Sequence, residues 1–355
     1  YWSLIGGGSG NTITTASTKS TIIGGEGHKL VAAPFSTILG GTSNKIESII
    51  TTATSVNMTS STIIGGKNNE MYGSFSLIGA GSGNTIMTAS THSTILNGSN
   101  NIMTGVTHSL IGGGEINIIK ESGSVSIIGG YNNQISGTTL SSIVGGKANK
   151  ILQAYGSSIV GGYKNDISTV NSSILARYHF IGGGVYNKII GSNGSYYYNS
   201  IVGGYENYVS GSTVSILGGG IQNKIHGVSS GFIGGGTANR LYFASHYGVI
   251  VGGRANLASA SQLSFIGGGD GNVLSGTYYT NIVGGEDNFI DFSTGINSGW
   301  SNIVGGKLNL IKETSYYTSI LGGSGNTITL VSSNSGILNG TRNYNLSSGQ
   351  EFKII

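Results

Sequence analysis

Ile143-Val144-Gly145-Gly146-Lys147-Ala148-Asn149-Lys150-Ile151 is the stretch on which the fold turns. Its order is an apolar residue, a variable one, Gly-Gly, two variable residues, Asn, one variable residue and a second apolar residue. That order recurs twenty times in 355 residues, with leading positions running from Ile5 to Ile337; nineteen are Ile and one is Leu217. The second Gly is present in all twenty copies, and the Asn in nineteen, with His28 standing in the other. The commonest spacing between leading residues is 16, and most others are 15 or 17. So short a fixed period marks a solenoid, in which each repeat is one coil resting on its neighbours.

Each part of the unit has a physical task. Ile is β-branched and suits a pleated strand, and the apolar residue two after the Asn opens a second short strand. Stacked inward, the two make aliphatic core columns. The Gly-Gly pair between them is expected to be a corner of positive φ. Ala80, Asn97 and Asn339 replace only its first member, and Asn tolerates the left-handed region. The Asn column is expected to form a ladder, each amide bonding to the coils above and below or to the corner backbone. The fold class that follows is all-β: a single-chain β-solenoid of about twenty 16–17-residue coils. With strands about 4.8 Å apart, the expected form is one continuous rod over residues 1–355, roughly 95 Å long.

Composition agrees by exclusion. Gly supplies 65 residues, Pro one and Cys none, and charged residues are only 8%. Collagen needs Gly at every third position with abundant Pro, and a disulfide scaffold needs cysteines. No apolar run reaches the ~18 residues of a membrane span, and no signal peptide is visible. A net charge of +4 without a basic tract gives no support for nucleic-acid binding.

Residues flanking the leading Ile point away from the core. In thirteen copies the following residue is Val, Ile or Leu, as in Val144 and Val160. In the other seven it is Gly, and the preceding residue is bulky: Leu4, Leu77, Leu110, Phe180, Ile216, Phe232 or Phe265. Every coil therefore keeps one outer apolar group. Two readings compete, a strand covered by its own loops and an exposed stripe that needs a partner. The second predicts self-association, most simply as a parallel trimer.

Extra length collects between the second strand and the next leading Ile, giving longer loops at 47–61, 168–179, 190–199 and 291–301. Insertions confined to one edge map to one face, often the binding face. Aromatic residues gather there: Tyr155, Tyr178, Tyr196, Tyr197, Tyr198, Tyr247, Tyr278, Tyr279, Trp300, Tyr316 and Tyr317. Tyrosine-rich loops on a rigid scaffold suit binding, and these eleven are the candidate binding residues, with a surface glycan or receptor as ligand. The competing reading is that they cover the coil edge or pack between subunits.

Catalytic constellations are sparse. Asp270 and Glu286, sixteen apart, should occupy adjacent corners, with Asp287 and Asp291 nearby. Paired carboxylates at a set separation are what glycosidases use, so a polysaccharide-degrading depolymerase is the alternative function; a solvated corner is the plain reading. His92 and His108, also sixteen apart, should stack, but two histidines without acids make a poor metal site. No Gly-Lys-Ser/Thr phosphate loop occurs, and the chain lacks the aspartates of calcium-binding repeats. Thr12, Thr85 and Thr327 share a column, a trace of the regular Thr array that ice binding needs, yet most coils lack it. No catalytic residue, metal or cofactor is expected.

The Ser-Ile-Val-Gly-Gly-x-x-Asn-x-Ile repeat, from Ile5 through Asn343, resembles those of receptor-binding fibres of phages and large viruses. It is also similar to the head domains of trimeric autotransporter adhesins, although their repeat is shorter and uses an apolar-Ala-Ile-Gly strand. The resemblance implies a structural and binding protein on a virion or cell surface, extracellular and homotrimeric. It carries over no ligand-binding residue. Repeats reach both ends, from Ile5 to Ile354, without an evident cap, so the expectation is a segment of a longer fibre.

Overall fold

Alternation around each leading Ile produces two short strands per coil, and stacking pairs each strand with its copy one coil away. In a computed structural model of the chain, Ser142–Ile143 pairs in parallel with Ser126–Ile127 and Ser158–Ile159, placing Ile143 opposite Ile127 and Ile159. Lys150–Leu152 pairs likewise with Gln134–Ser136 and Asp166–Thr169, with Ile135, Ile151 and Ile167 in register. The corner between them adds single parallel bridges, Tyr131 to Lys147 to Tyr163. The structure describes residues 2–14, 16–48, 60–169, 176–191, 197–292, 299–312, 317–329 and 334–345. Among these there is no helix, and the architecture is an all-β solenoid.

The chain forms two compact units, Tyr1–Tyr178 and His179–Ile355. In the first, first strands run from Leu4–Ile5 to Ser158–Ile159; in the second, from Phe180–Ile181 to Gly336–Ile337. Both units have the same core. From Ile22 onward the leading column is fully buried, for example Ile95, Ile127 and Ile143 in the first unit and Ile233, Ile266 and Ile303 in the second. The second column, with Ile119, Ile135 and Ile151 or Ile225, Leu274 and Ile311, is equally buried.

A further buried column stands two residues before each leading Ile and is mostly Ser, as in Ser93, Ser109, Ser141 and Ser157. These hydroxyls are satisfied by backbone. Ser141 Oγ donates to the Ala154 carbonyl at 2.8 Å and accepts from the Ser157 N–H at 3.1 Å. Their repetition is visible in the sequence, but neighbouring apolar residues draw attention away from it.

The Asn ladder takes the corner-backbone form. Asn149 Nδ2 donates to the carbonyls of Gly145 in its own coil and Gly162 in the next, at 3.0 and 3.1 Å. Its Oδ1 accepts the N–H of Asn165 at 3.0 Å. The amide is fully buried and meets polar partners on both ends. His28 mimics this arrangement, its Nδ1 accepting the Asn44 N–H at 3.1 Å, and burial lowers its pKa.

The Gly-Gly corner differs from expectation. In this coil only the second glycine is left-handed: Gly146 has φ 87°, and a Cβ there would collide with the Gly162 carbonyl oxygen and, at 2.6 Å, with Asn149 Nδ2. Gly145 has neither a left-handed φ nor any atom within 4 Å of an added Cβ. Ala80, Asn97 and Asn339 are likewise not left-handed, so their tolerance comes from open space, with Asn97 Oδ1 accepting the Gly98 N–H at 2.7 Å.

Left-handed residues nevertheless recur at four places in a coil: Gly146, Ala148 (φ 57°), Gln153 (φ 54°) and Gly156 (φ 62°). Ala148's position holds even Ile116 and Leu308, at φ 57° and 55°. Bond direction supplies the reason. Strand N–H groups donate to the following coil, as Val144 does to Ile159 at 3.0 Å. The last three of these left-handed residues donate backwards, Ala148 to Tyr131 and Gln153 to Ser136 at 2.9 Å, and Gly156 to Thr139 at 3.0 Å. A satisfied backbone bond outweighs a conformational cost of about 1–2 kcal/mol.

Candidate binding surfaces

The outer flank of the first strands is open. In the first unit Ile23, Leu39, Ile64, Leu96, Ile128, Val144 and Val160 are 42–51% exposed. In the second, Val202, Val251, Val283, Val304, Leu321 and Leu338 are 44–56% exposed. Where Phe precedes and Gly follows the leading residue, the ring folds over that Gly: Phe265 Cε1 lies 3.1 Å from where a Gly267 Cβ would stand, and Phe232 Cε1 3.3 Å from that of Gly234. The flank exchange thus keeps the surface apolar in each unit. Among the described residues the reading of a strand covered by its own loops does not hold.

The candidate aromatic residues fall into several environments. Tyr247, Tyr279, Trp300 and Tyr317, with Leu263 between the first two, occupy one left-handed column with φ 50–68°. Four of these N–H groups donate to a backbone carbonyl of the preceding coil: Leu263 to His246 at 2.9 Å, Tyr279 to Gln262 at 3.1 Å, Trp300 to Tyr278 at 3.3 Å and Tyr317 to Gly299 at 3.4 Å. Left-handed backbone throws these side chains outward, one above another. Tyr279 and Trp300 stack with centroids 4.5 Å apart and planes 4° off parallel, and Trp300 and Tyr317 lie at 6.3 Å and 10°. Trp300 has a ring on each face, so the stack offers solvent its edges. Tyr247 and Tyr278 are exposed, and Tyr198 faces outward on the strand Tyr198–Ile201. Tyr197 is different: it is 7% exposed and belongs to the core, because the strand that follows sets its parity inward. Tyr155 meets Tyr178 edge-on at 5.7 Å. Tyr196 and Tyr316 lie outside the described residues, as does much of the longer loops.

The equivalent column in the first unit carries Phe75, His92 and His108, stacked at 5.0 Å with planes 10° and 8° off parallel. Parallel imidazoles aim their lone pairs side by side, so they do not converge on a metal. No group of three His, Cys, Asp or Glu among the described residues forms a metal site.

Asp270 and Glu286 are register neighbours, as the spacing predicts, and each is taken up by a cation. Arg254 Nε lies 3.0 Å from both carboxylate oxygens of Asp270, and its Nη2 also contacts that group. This fork holds the Asp270 carboxyl below its usual range. Lys307 Nζ reaches Glu286 at 2.7 Å, and that contact raises the lysine. The result is an exposed ladder of charge in the order plus, minus, minus, plus. Thr12, Thr85 and Thr327 have Lys29, Glu70 with Ile102, and Leu310 with Tyr344 as register neighbours, so no flat Thr array forms there.

One cluster escaped the sequence reading. On the outer face of the second strands in the second unit, Lys188, Tyr208, Lys224 and Arg240 follow one another in register. Lys224 Nζ stands 5.0 Å from the Tyr208 ring centre and 5.3 Å from that of Tyr242. His226 and Phe243 complete the group edge-on, at 6.3 Å from Tyr242 and 5.2 Å from His226 respectively. No protein family and no curated protein matches this chain.

Proposed function

We propose that this chain is a structural and binding protein, a solenoid segment of an extracellular fibre or adhesin on a virion or cell surface. It assembles with further copies of itself, most simply as a parallel trimer, through the apolar column on its first strands. One observation carries this reading: in each unit every coil from Ile23 to Leu338 places an apolar group on the outer flank of its first strand, most of them about half exposed. A series of exposed apolar groups at every coil is more than a monomer keeps open without a partner. The remaining surface, with its outward rings, is what such a segment presents to a surface glycan or receptor. Commitment of Asp270 to Arg254, which holds that carboxyl below its usual range, favours binding over the depolymerase alternative, since a general acid needs a raised pKa.

Light scattering of the full chain tests the assembly. We expect a discrete oligomer, and a monodisperse monomer would refute it. Val144→Lys with Val160→Lys should dissociate the oligomer while leaving the β circular dichroism intact, because both side chains point away from the core. Oligosaccharide release from a host polysaccharide that vanishes in Asp270→Ala or Glu286→Ala would replace this function with the depolymerase.

A further inference from the structure

We propose that the outer face formed by Tyr208, Lys224, Arg240, Tyr242 and Phe243 binds a linear anionic glycan, a sugar chain bearing carboxylate or sulfate groups. The inference refines the glycan-binding part of the function above and is independent of the self-association. Three observations carry it.

The first is an uncompensated pair of cations. Lys224 and Arg240 are direct register partners on neighbouring strands. Like charges so placed repel. Elsewhere the chain sets an acid beside a cation: Asp270 beside Arg254, Glu286 beside Lys307, and Glu47 beside Lys45. In the first unit the same column holds Lys29 and Lys45 as partners, but Glu47 and Glu70 lie beside them. Around Lys224 and Arg240 the ladder offers Tyr208, Leu257, His226 and Tyr242, none of them anionic. Glu206, on the adjoining corner, accepts from Gln222 at 2.7 Å. An anion supplied from outside removes the repulsion.

The second is the aromatic setting. Lys224 Nζ lies over both Tyr208 and Tyr242. Tyr242, Phe243 and His226 meet at 40–86° rather than in parallel. Unlike the parallel Tyr279–Trp300–Tyr317 stack, these rings meet edge-on or tilted, and the Phe243 ring stays open to solvent. Phe243 is 61% exposed on a left-handed corner at φ 38°. Ring faces beside cations match a pyranose, which has apolar C–H faces and carries its anionic groups at the rim.

The third is periodicity. Recognition groups repeat once per coil, about 4.8 Å, comparable to the advance of an extended sugar chain per residue. A linear chain lying along the column meets Tyr208, Lys224 and Arg240 in succession, so separate weak contacts add within one ligand.

Immobilised heparin and hyaluronan distinguish sulfated from carboxylated chains, with dextran as the neutral chain and polyphosphate as the anion without sugar faces. The full-length protein should bind at least one of the two anionic glycans, in a salt-dependent manner, and should not bind dextran. Lys224→Gln and Arg240→Gln should each weaken binding about tenfold. Phe243→Ala, on an exposed corner, should weaken glycan binding and leave polyphosphate unaffected. Lys29→Gln, a cation of the same column in the first unit, should change nothing. Polyphosphate binding as tightly as the glycans, equal loss with Lys29→Gln, or no loss with Arg240→Gln would each overturn the proposal. Light scattering on the same samples separates the two claims. An intact oligomer that ignores both glycans refutes this site alone, and a monomer that binds them refutes the assembly alone.

Discussion

Adjacent glycines 145 and 146 should respond oppositely to a single methyl group. Gly146→Ala forces an alanine into φ 87°, a region costing about 1–3 kcal/mol. Its Cβ would also stand 2.6 Å from Asn149 Nδ2 and closer still to the Gly162 carbonyl oxygen. Relief of that overlap must move the buried amide, whose bonds to Gly145, Gly162 and Asn165 measure 3.0, 3.1 and 3.0 Å. Leaving one of those groups unsatisfied costs about 1–3 kcal/mol more, so the total is about 2–6 kcal/mol. Gly145→Ala meets open space without a left-handed φ. It should be neutral, or stabilising by about 0.4–1 kcal/mol through a less flexible unfolded chain. Urea unfolding of the two variants gives the difference directly. Amide hydrogen exchange at Asn165 should accelerate only in Gly146→Ala, because that N–H reads the displaced Asn149 oxygen. Equal destabilisation by both substitutions, or protection retained at Asn165 in Gly146→Ala, would refute this account of the corner.

Asn149→Ala should cost more than Asn149→His, since His28 shows that an imidazole fits the column and Nδ1 can take the next N–H; thermal unfolding of both variants decides the order. Trp300→Ala removes two ring contacts worth about 0.5–1.5 kcal/mol each. Leu263→Trp, at φ 50° in the same column, should extend the stack and add a contact of that size, visible in near-ultraviolet circular dichroism and in the melting temperature. His179 is buried, and that burial holds its pKa down to about 4. The folded state therefore favours neutral imidazole while the unfolded chain takes up a proton near pH 6.5. Stability is complete above 6.5 and falls by about 3 kcal/mol as the pH drops toward 4. His179→Ser, the usual residue of that column, should flatten the loss between pH 6.5 and 4 in urea titrations.

The solenoid, its two core columns and the buried Asn were legible because each demands one residue type at one phase, and twenty copies make the demand plain. Ile116 and Leu308 show where legibility stops. Nothing in their chemistry favours φ near 55°, and the cause is a bond to the preceding coil that exists only once coils stack. The ring stack is hidden for a related reason: Tyr279 and Trp300 are 21 residues apart, so an insertion masks their shared column. Tyr197 points inward because parity within an inserted segment is set by the strand it enters, which its own neighbours do not reveal. The Lys224–Arg240 pair is visible as spacing, but its significance depends on which acids lie near, and only the coordinates supply that.

The Asn ladder has a direction. In each link the side-chain oxygen serves the coil that follows in sequence, as Asn149 serves Asn165 and Asn133 serves Asn149. A finished coil thus carries on its leading surface a preset acceptor for a backbone amide not yet in place. Chains leave the ribosome amino end first, at about 5–20 residues per second, so one coil emerges about every one to three seconds. Each new coil meets a template already dressed to receive it, and closure of one coil prepares the seat of the next. Growth in the opposite sense would have to orient every amide before its own coil was anchored. The stack is polar along its axis, and the asparagine carries that polarity.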